Sequence, residues 1–248
     1  MNKNFYPIFL TGGNGLFGNT FLKKNRIIRK KILFPTSSEL NIINKKKVFK
    51  YLDKYNPKII IHAAALVGIR VCEDNKILCK KVNITGTKNI ASYAKEKNIR
   101  FIYISTDYVF DGKKGNYSEK DKPNPQSIYA KSKLEGEKIV KKLKNYLIIR
   151  TSFFSKKNWK YREAFIDQYT SRLEIENLVG KLNKIIFSNF KGLIHIAGKR
   201  QSLYKIAKII DKKTKPISLE NYKDLKIPKD ISLDISKWKL FLNSKNKY

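Results

Sequence analysis

The chain has 248 residues, 42% of them apolar, enough to bury a sizeable core in one large domain or two small lobes. Its 54 lysines and arginines stand against 20 acids, a formal charge of +34, spread almost evenly over both halves. Without a dedicated basic stripe, nucleic acid is not an expected partner, although a basic surface helps to collect phosphorylated metabolites. The longest apolar stretch, residues 59–69, is interrupted by His62 and is too short to span a bilayer. No secretory signal is read, so a cytoplasmic protein without membrane contact is expected. Cys72 and Cys79 are expected on one helix as packing residues, too far apart along its axis for a disulfide. No metal site is expected.

In chain order, short apolar runs at residues 7–11, 31–35, 58–62, 100–105 and 146–150 alternate with amphipathic stretches at 16–24, 45–54, 74–97 and 129–143. Such alternation predicts an α/β fold with a doubly wound, parallel, Rossmann-type sheet. After Arg150 the pattern loosens. A strand-like 192–197, a helix near 202–212 and a closing segment 232–242 predict a smaller lobe. His62 and His195 both fall in predicted strands, as structural or cofactor-lining residues rather than catalytic bases.

The first predicted strand runs into Thr11-Gly12-Gly13-Asn14-Gly15-Leu16-Phe17-Gly18. Glycines at 12, 15 and 18 suit a tight turn, a close approach of backbone to a pyrophosphate, and packing of helix on strand. Between a strand and a helix, this is the context a dinucleotide requires. Gly12, Asn14, Gly15, Leu16, Phe17 and Gly18 are therefore candidate cofactor contacts. The second strand ends in Phe34-Pro35-Thr36-Ser37-Ser38, with no acid before Glu39. Hydroxyls on Thr36 and Ser37 can donate to a 2′-phosphate, which favours NADPH, with NADH as the alternative.

Tyr129 and Lys133 lie four apart at the start of a predicted helix and share one face. A phenol titrates near ~10, and an adjacent ammonium lowers that value. Bringing it to ~7 takes about 4 kcal/mol. The fourth strand ends in Ser105-Thr106, and open α/β sheets bind ligands beyond the carboxyl ends of their strands. A threonine hydroxyl there can hold a carbonyl while the tyrosine exchanges its proton.

The stretch Ser105-Thr106-Asp107-Tyr108-Val109-Phe110-Asp111-Gly112, continuing to Tyr129-Ala130-Lys131-Ser132-Lys133-Leu134-Glu135-Gly136-Glu137, closely resembles the dTDP-4-dehydrorhamnose reductase branch of the extended short-chain dehydrogenase/reductases. The resemblance implies that Thr106, Tyr129 and Lys133 are catalytic, with Ser105, Tyr129 and Lys133 also near the cofactor. Ala63-Ala64-Ala65 is similar to a cofactor-lining segment of that family, and the helix containing Asn83 to its V-N-x-x-G-T-x-N helix. Arg150-Thr151-Ser152, His195-Ile196-Ala197-Gly198 and residues 228–234 are similar to later signatures.

The chain also departs from the family. Asp167-Gln168-Tyr169-Thr170-Ser171 resembles D-Q-x-G-x-P without its glycine and proline. Asn41 stands where many relatives have an aspartate, and Ile69-Arg70 replaces a Val-Asp pair. Between Ser152 and Asp167 there is little room for the extra helix that relatives carry. The expected organisation is thus an NAD(P)-binding domain over residues 1–151 and a shortened substrate lobe over 152–248, packed against it. The implied reaction is reduction of the C4 ketone of a nucleotide-linked 4-keto-6-deoxy sugar, used in polysaccharide biosynthesis. A nucleotide sugar is the implied partner, and a homodimer is compatible with the fold. Another nucleotide-sugar reductase or epimerase, or a non-catalytic sugar-nucleotide-binding regulatory subunit, stays open as an alternative.

Overall fold

The computed structural model describes residues 7–158, 161–222 and 227–245. The chain begins β1 (Ile8–Thr11), α1 (Leu16–Lys24), β2 (Ile32–Leu33), α2 (Lys45–Tyr55), β3 (Ile59–His62), α3 (Ile69–Asp74), α4 (Lys76–Lys80), α5 (Thr87–Glu96), β4 (Arg100–Thr106), α6 (Ile128–Val140) and β5 (Tyr146–Thr151). It continues with β6 (Phe153–Phe154), β7 (Glu163–Phe165), β8 (Tyr169–Thr170), β9 (Leu173–Glu174), α7 (Ile175–Ile186), β10 (Gly192–His195), β11 (Gln201–Ser202), α8 (Leu203–Ile210), β12 (Lys215–Ile217) and α9 (Ser236–Lys245).

Six strands form one sheet in the order β10-β5-β4-β3-β1-β2. β1 pairs in parallel with β2 and β3, and β3 with β4. This is the parallel Rossmann-type sheet expected. A sheet covered on both faces needs strands that are apolar throughout rather than alternating. Phe9, Leu10, Ile60, Ile61, Phe101 and Ile102 meet that need and are wholly buried. α2 turns Val48 and Leu52 into the same core. Its first turn is capped by the Asn44 side chain, which accepts from the Lys47 amide. It ends at Asn56, in the left-handed region at φ 45°.

The chain divides into two compact units whose segments interleave. The first holds residues 1–105, 127–149 and 179–193; the second holds 106–126, 150–178 and 194–248. The chain passes from one unit to the other at 149/150, and 106–126 and 179–193 belong to the other unit than their sequence neighbours. Within the second unit, the loop after β4 runs along residues 228–234. Asp230 N donates to Gly112 O at 3.0 Å, Tyr117 N to Ser232 O at 2.8 Å, and Asp234 N to Tyr117 O at 2.7 Å. Phe110 stacks on Tyr117 with centroids 4.1 Å apart, and the buried His195 ring meets Phe110 edge-on. From Ser152 to Asp167 the described residues hold short strands and a 3-10 turn, with no α-helix.

Two expectations change. The stretch expected as one helix from 74 onward, and the cysteine pair at its start, are broken at Asn75, whose backbone (φ −124°, ψ 52°) separates α3 from α4. The break brings the two buried thiols near each other instead of about two turns apart, with Cys72 Sγ donating to Leu66 O at 3.3 Å and Cys79 Sγ to Ser132 Oγ at 3.6 Å. Between α4 and α5 the chain widens to a π-helix over Lys81–Gly86. The loosening expected after Arg150 does not extend to α7, where Ile175, Leu178, Val179, Leu182, Ile185 and Ile186 form a buried stripe.

A chain of buried polar groups ties the first unit together. Ala64 N donates to Thr11 Oγ1 at 3.1 Å, and Thr11 Oγ1 lies 2.7 Å from His62 Nδ1. His62 Nε2 lies 2.9 Å from Thr87 Oγ1, which donates its own hydrogen to Asn83 O at 2.6 Å. Because Thr87 has spent its hydrogen, His62 must donate from Nε2 and accept at Nδ1. Burial, with a smaller contribution from the Lys133 charge, holds His62 down at about 3. The unfolded chain takes this proton near ~6.5. Stability is therefore full above that value and falls as pH drops toward about 3, by up to ~1.4 kcal/mol per pH unit for a single histidine. His195, also held at about 3 chiefly by burial, adds a second such slope. Urea unfolding at a series of pH values should show this loss, and His62→Asn should make it shallower. An unchanged slope in the variant would count against a buried neutral His62.

Candidate active site

The glycine turn presents what a pyrophosphate needs. Gly12 has φ +74°, and a Cβ there would stand 2.8 Å from Ala64 N, so side chains are excluded by conformation and by space. A Cβ on Gly18 would overlap the Gly12 carbonyl. At Gly15 there is little but the Gly12 oxygen at 3.3 Å. Asn14, Gly15 and Leu16 are exposed, while Phe17 and Gly18 are buried. α1 starts at Gly15 with no side-chain cap, which leaves its first N–H groups for a ligand. These features fit a dinucleotide.

Ala63 and Ala64 lie against the turn, bonded through their amides to Thr11 O and Thr11 Oγ1. Asn83 is committed internally. Its Oδ1 accepts from Leu66 N at 2.7 Å, and its Nδ2 donates to Leu66 O at 3.0 Å and to Ser132 Oγ at 2.9 Å. It thus fixes the loop after β3 to the helix that carries Tyr129. Thr36 does not stand open as the sequence suggests. Its amide and hydroxyl both donate to Glu39 Oε2, at 2.7 and 2.9 Å, and these bonds lower the pKa of the exposed carboxyl. Ser37 is exposed beside it.

α6 is capped by Ser127, whose side chain accepts from Ala130 N, while Ile128 N donates to Glu73. Tyr129 is half-buried at its start. Lys133, one turn on, is buried, and its Nζ donates to Ile104 O at 2.7 Å. The same ammonium sits 4.1 Å from the Tyr103 ring centroid. Burial brings Lys133 down to about 7, while the Glu137 charge pulls the other way. Glu137 is buried too, and Ser105 donates to its Oε1 at 2.6 Å. Ser105, Lys133 and Glu137 are thus brought together. Glu137 is a buried neighbour of Lys133 that the sequence reading did not single out, although its i+4 spacing was a signal.

Thr106, the last residue of β4, belongs to the second unit. It is buried and starts a 3-10 turn, accepting from Tyr108 N at 3.3 Å. Its hydroxyl donates to Asp107 Oδ1 at 3.1 Å. Asp107 is fully buried, and Thr170 donates to its other oxygen at 3.4 Å. Arg172 Nη2 donates to the Tyr108 hydroxyl at 3.2 Å. Thr170 and Arg172 occupy the two positions where the resembled D-Q-x-G-x-P segment has glycine and proline. Both replacements therefore act on the turn after Thr106. Among the described residues, no group of His, Cys, Asp and Glu could hold a metal ion, and no helix is long and apolar enough to cross a membrane.

The chain is similar to known proteins over differing shares of its length. The dTDP-4-dehydrorhamnose reductase of Aggregatibacter actinomycetemcomitans is 37% identical over 151 residues, 59% of this chain and 51% of that protein. The methionine adenosyltransferase 2 subunit beta of Rattus norvegicus is 26% identical over 271 residues, covering 93% of this chain and 80% of that one. The chain spans about half the length of the curated reductases it matches. The crystal structure of dTDP-4-dehydrorhamnose reductase from Bacillus anthracis, in complex with NADP, aligns with a TM-score of 0.85 at 27% identity, over 94% of this chain and 92% of that chain. The family model described as the RmlD substrate binding domain matches residues 6–180, and with the parallel sheet, the glycine turn and the α6 tyrosine–lysine pair in place, the chain belongs to that family.

Proposed function

We propose that this chain reduces the C4 ketone of a nucleotide-linked 4-keto-6-deoxy sugar with NADPH, and that Thr106, Tyr129 and Lys133 carry the chemistry. The observation that supports it best is Lys133. A buried lysine brought to about 7, four residues after a tyrosine on one helix, is a group suited to tuning a phenol at neutral pH. The relatives named as reductases, and the NADP complex among them, point the same way.

The residues of the glycine turn, Gly12 to Gly18, would hold the pyrophosphate, with Ala63–Ala65 lining the cofactor and Ser37, the hydroxyl left exposed beside the Thr36–Glu39 pair, at its 2′-phosphate end. A bound dihydronicotinamide supplies the hydride. Tyr129 gives its phenolic proton to the C4 oxygen as negative charge develops there, and regains one from solvent afterwards. The Lys133 ammonium favours the phenolate that is left. Glu137 keeps Lys133 charged, and Ser105 holds Glu137 in place. Thr106 orients the carbonyl oxygen by hydrogen bonding. A cytoplasmic location, where nucleotide sugars are made, belongs to the same reading.

A second reading, a non-catalytic regulatory subunit, draws on the similarity to methionine adenosyltransferase 2 subunit beta over most of the chain. Oxidation of NADPH by dTDP-4-dehydro-L-rhamnose separates the two. Turnover that falls at least ~100-fold in Tyr129→Phe, with cofactor binding intact, supports the reductase. Cofactor binding without turnover in the native chain favours the subunit. In the reductase, loss of the Lys133 proton should add a falling limb to kcat/KM as pH rises above about 7. Glu137→Gln removes the opposing charge and should move this limb down by ~1 pH unit; a limb that stays in place speaks against Glu137 as the counter-charge.

A further inference from the structure

A hydroxyl has one hydrogen and two acceptor sites, and around Thr106 the hydrogen and one acceptor site have identifiable partners. The Tyr108 amide donates to one lone pair at 3.3 Å. The hydrogen goes to Asp107 Oδ1 at 3.1 Å. While it does, Thr106 offers a ligand only a lone pair. A ketone oxygen carries no hydrogen and needs a donor.

We propose that Asp107 is a positioning residue whose protonation reverses the Thr106 hydroxyl. The neutral acid donates to Thr106 Oγ1, and the released hydroxyl hydrogen turns to the ketone oxygen of the substrate. The carboxylate instead keeps that hydrogen, leaving Thr106 an acceptor suited to the product alcohol. The proton on Asp107 comes from solvent and stays there; the proton delivered to substrate is still that of Tyr129. This inference rests on the reading of Thr106 as the hydroxyl that holds the carbonyl.

The surroundings of Asp107 allow such a change near neutrality. Burial pushes its carboxyl up, and the Arg172 charge with hydrogen bonds from Thr106, Ser152 and Thr170 pulls it back, leaving it at about 6. The groups facing it are one cation, Arg172, three neutral hydroxyls and the neighbouring Tyr108, whose own phenol is kept protonated by burial. Arg172 Nε is buried with no hydrogen-bond partner. Its guanidinium thus acts on Asp107 as a nearby charge while bonding Tyr108.

The test is the profile of kcat/KM for ketone reduction from about pH 5 to about 8, for the native chain, Asp107→Asn and Arg172→Met. The native profile should fall roughly tenfold per unit above a midpoint near 6, and more steeply once Lys133 also titrates. Asp107→Asn, whose amide donates permanently to Thr106, should lose the component near 6 and keep the Lys133 limb. Arg172→Met should move the midpoint up. A profile that keeps its midpoint near 6 in Asp107→Asn overturns the proposal. The coupling is also read without any substrate, from the infrared titration of the Asp107 carboxyl, identified by its loss in Asp107→Asn. Thr106→Val, folded by circular dichroism, removes a donor to the carboxylate and should raise that midpoint. If it does not move, the Thr106–Asp107 coupling is refuted whatever the substrate. If it moves while the native chain reduces no 4-keto sugar, the proposed reaction fails, and the reversal as a catalytic device fails with it.

Discussion

The buried His62 is the constraint on which the first unit turns. Thr11, at the end of β1, and Thr87, at the start of α5, are 76 positions apart in sequence and are joined through its ring. From Thr87 the path continues through Asn83 to Ser132, whose hydroxyl donates to the Tyr129 carbonyl at 2.7 Å. The glycine turn and the tyrosine helix are thus held by one directional run of hydrogen bonds. Direction follows from counting hydrogens: every hydroxyl in the run has one to give, so fixing any bond fixes the next. Burial keeps the imidazole neutral across the physiological range, and the run has a single arrangement there.

The same counting governs Thr106 with the opposite consequence. His62 titrates far below neutrality, so its hydrogen bonds are permanent. Asp107 lies near 6, so the hydrogen it takes or gives is conditional. Both groups are completely buried, and desolvation is the largest cause in each case. For a base it lowers the pKa and for an acid it raises it. One physical effect therefore makes a rigid brace from an imidazole and an adjustable one from a carboxyl, with Arg172 and three hydroxyls bringing the latter back toward neutrality.

How far the sequence could be read depends on the range of the interaction involved. The glycine spacing, the strand–helix alternation and the Tyr129–Lys133 pair are local, and each stands in the fold where spacing put it. The break at Asn75 and the meeting of Cys72 with Cys79 depend on tertiary packing that no helical periodicity contains. Glu39 was legible as an acid late in its loop, but its return onto Thr36 is a matter of loop geometry. Thr170 and Arg172 were visible only as departures from a pattern. Their meaning appears when β8 and the residues after it bring them to Asp107, more than sixty positions earlier. The stripe of α7 has a regular helical spacing, yet it lies among short, irregular strands that obscure it.

Charge shows the same limit. With 54 basic residues, composition says nothing about which lysine matters. Among the described lysines, Lys133 is the buried one. Bringing an ammonium from its ordinary value down to about 7 represents a net cost on the order of 5 kcal/mol, a large part of a domain's net stability. That cost is what is left after the Glu137 charge has offset part of the desolvation. An apolar residue would fill the site at less cost, so the amine is kept for what its charge can do there. A strongly perturbed buried amine, four residues after Tyr129 on one helix, is what the proposed reductase asks of Lys133, and a bound cofactor would draw on the same charge.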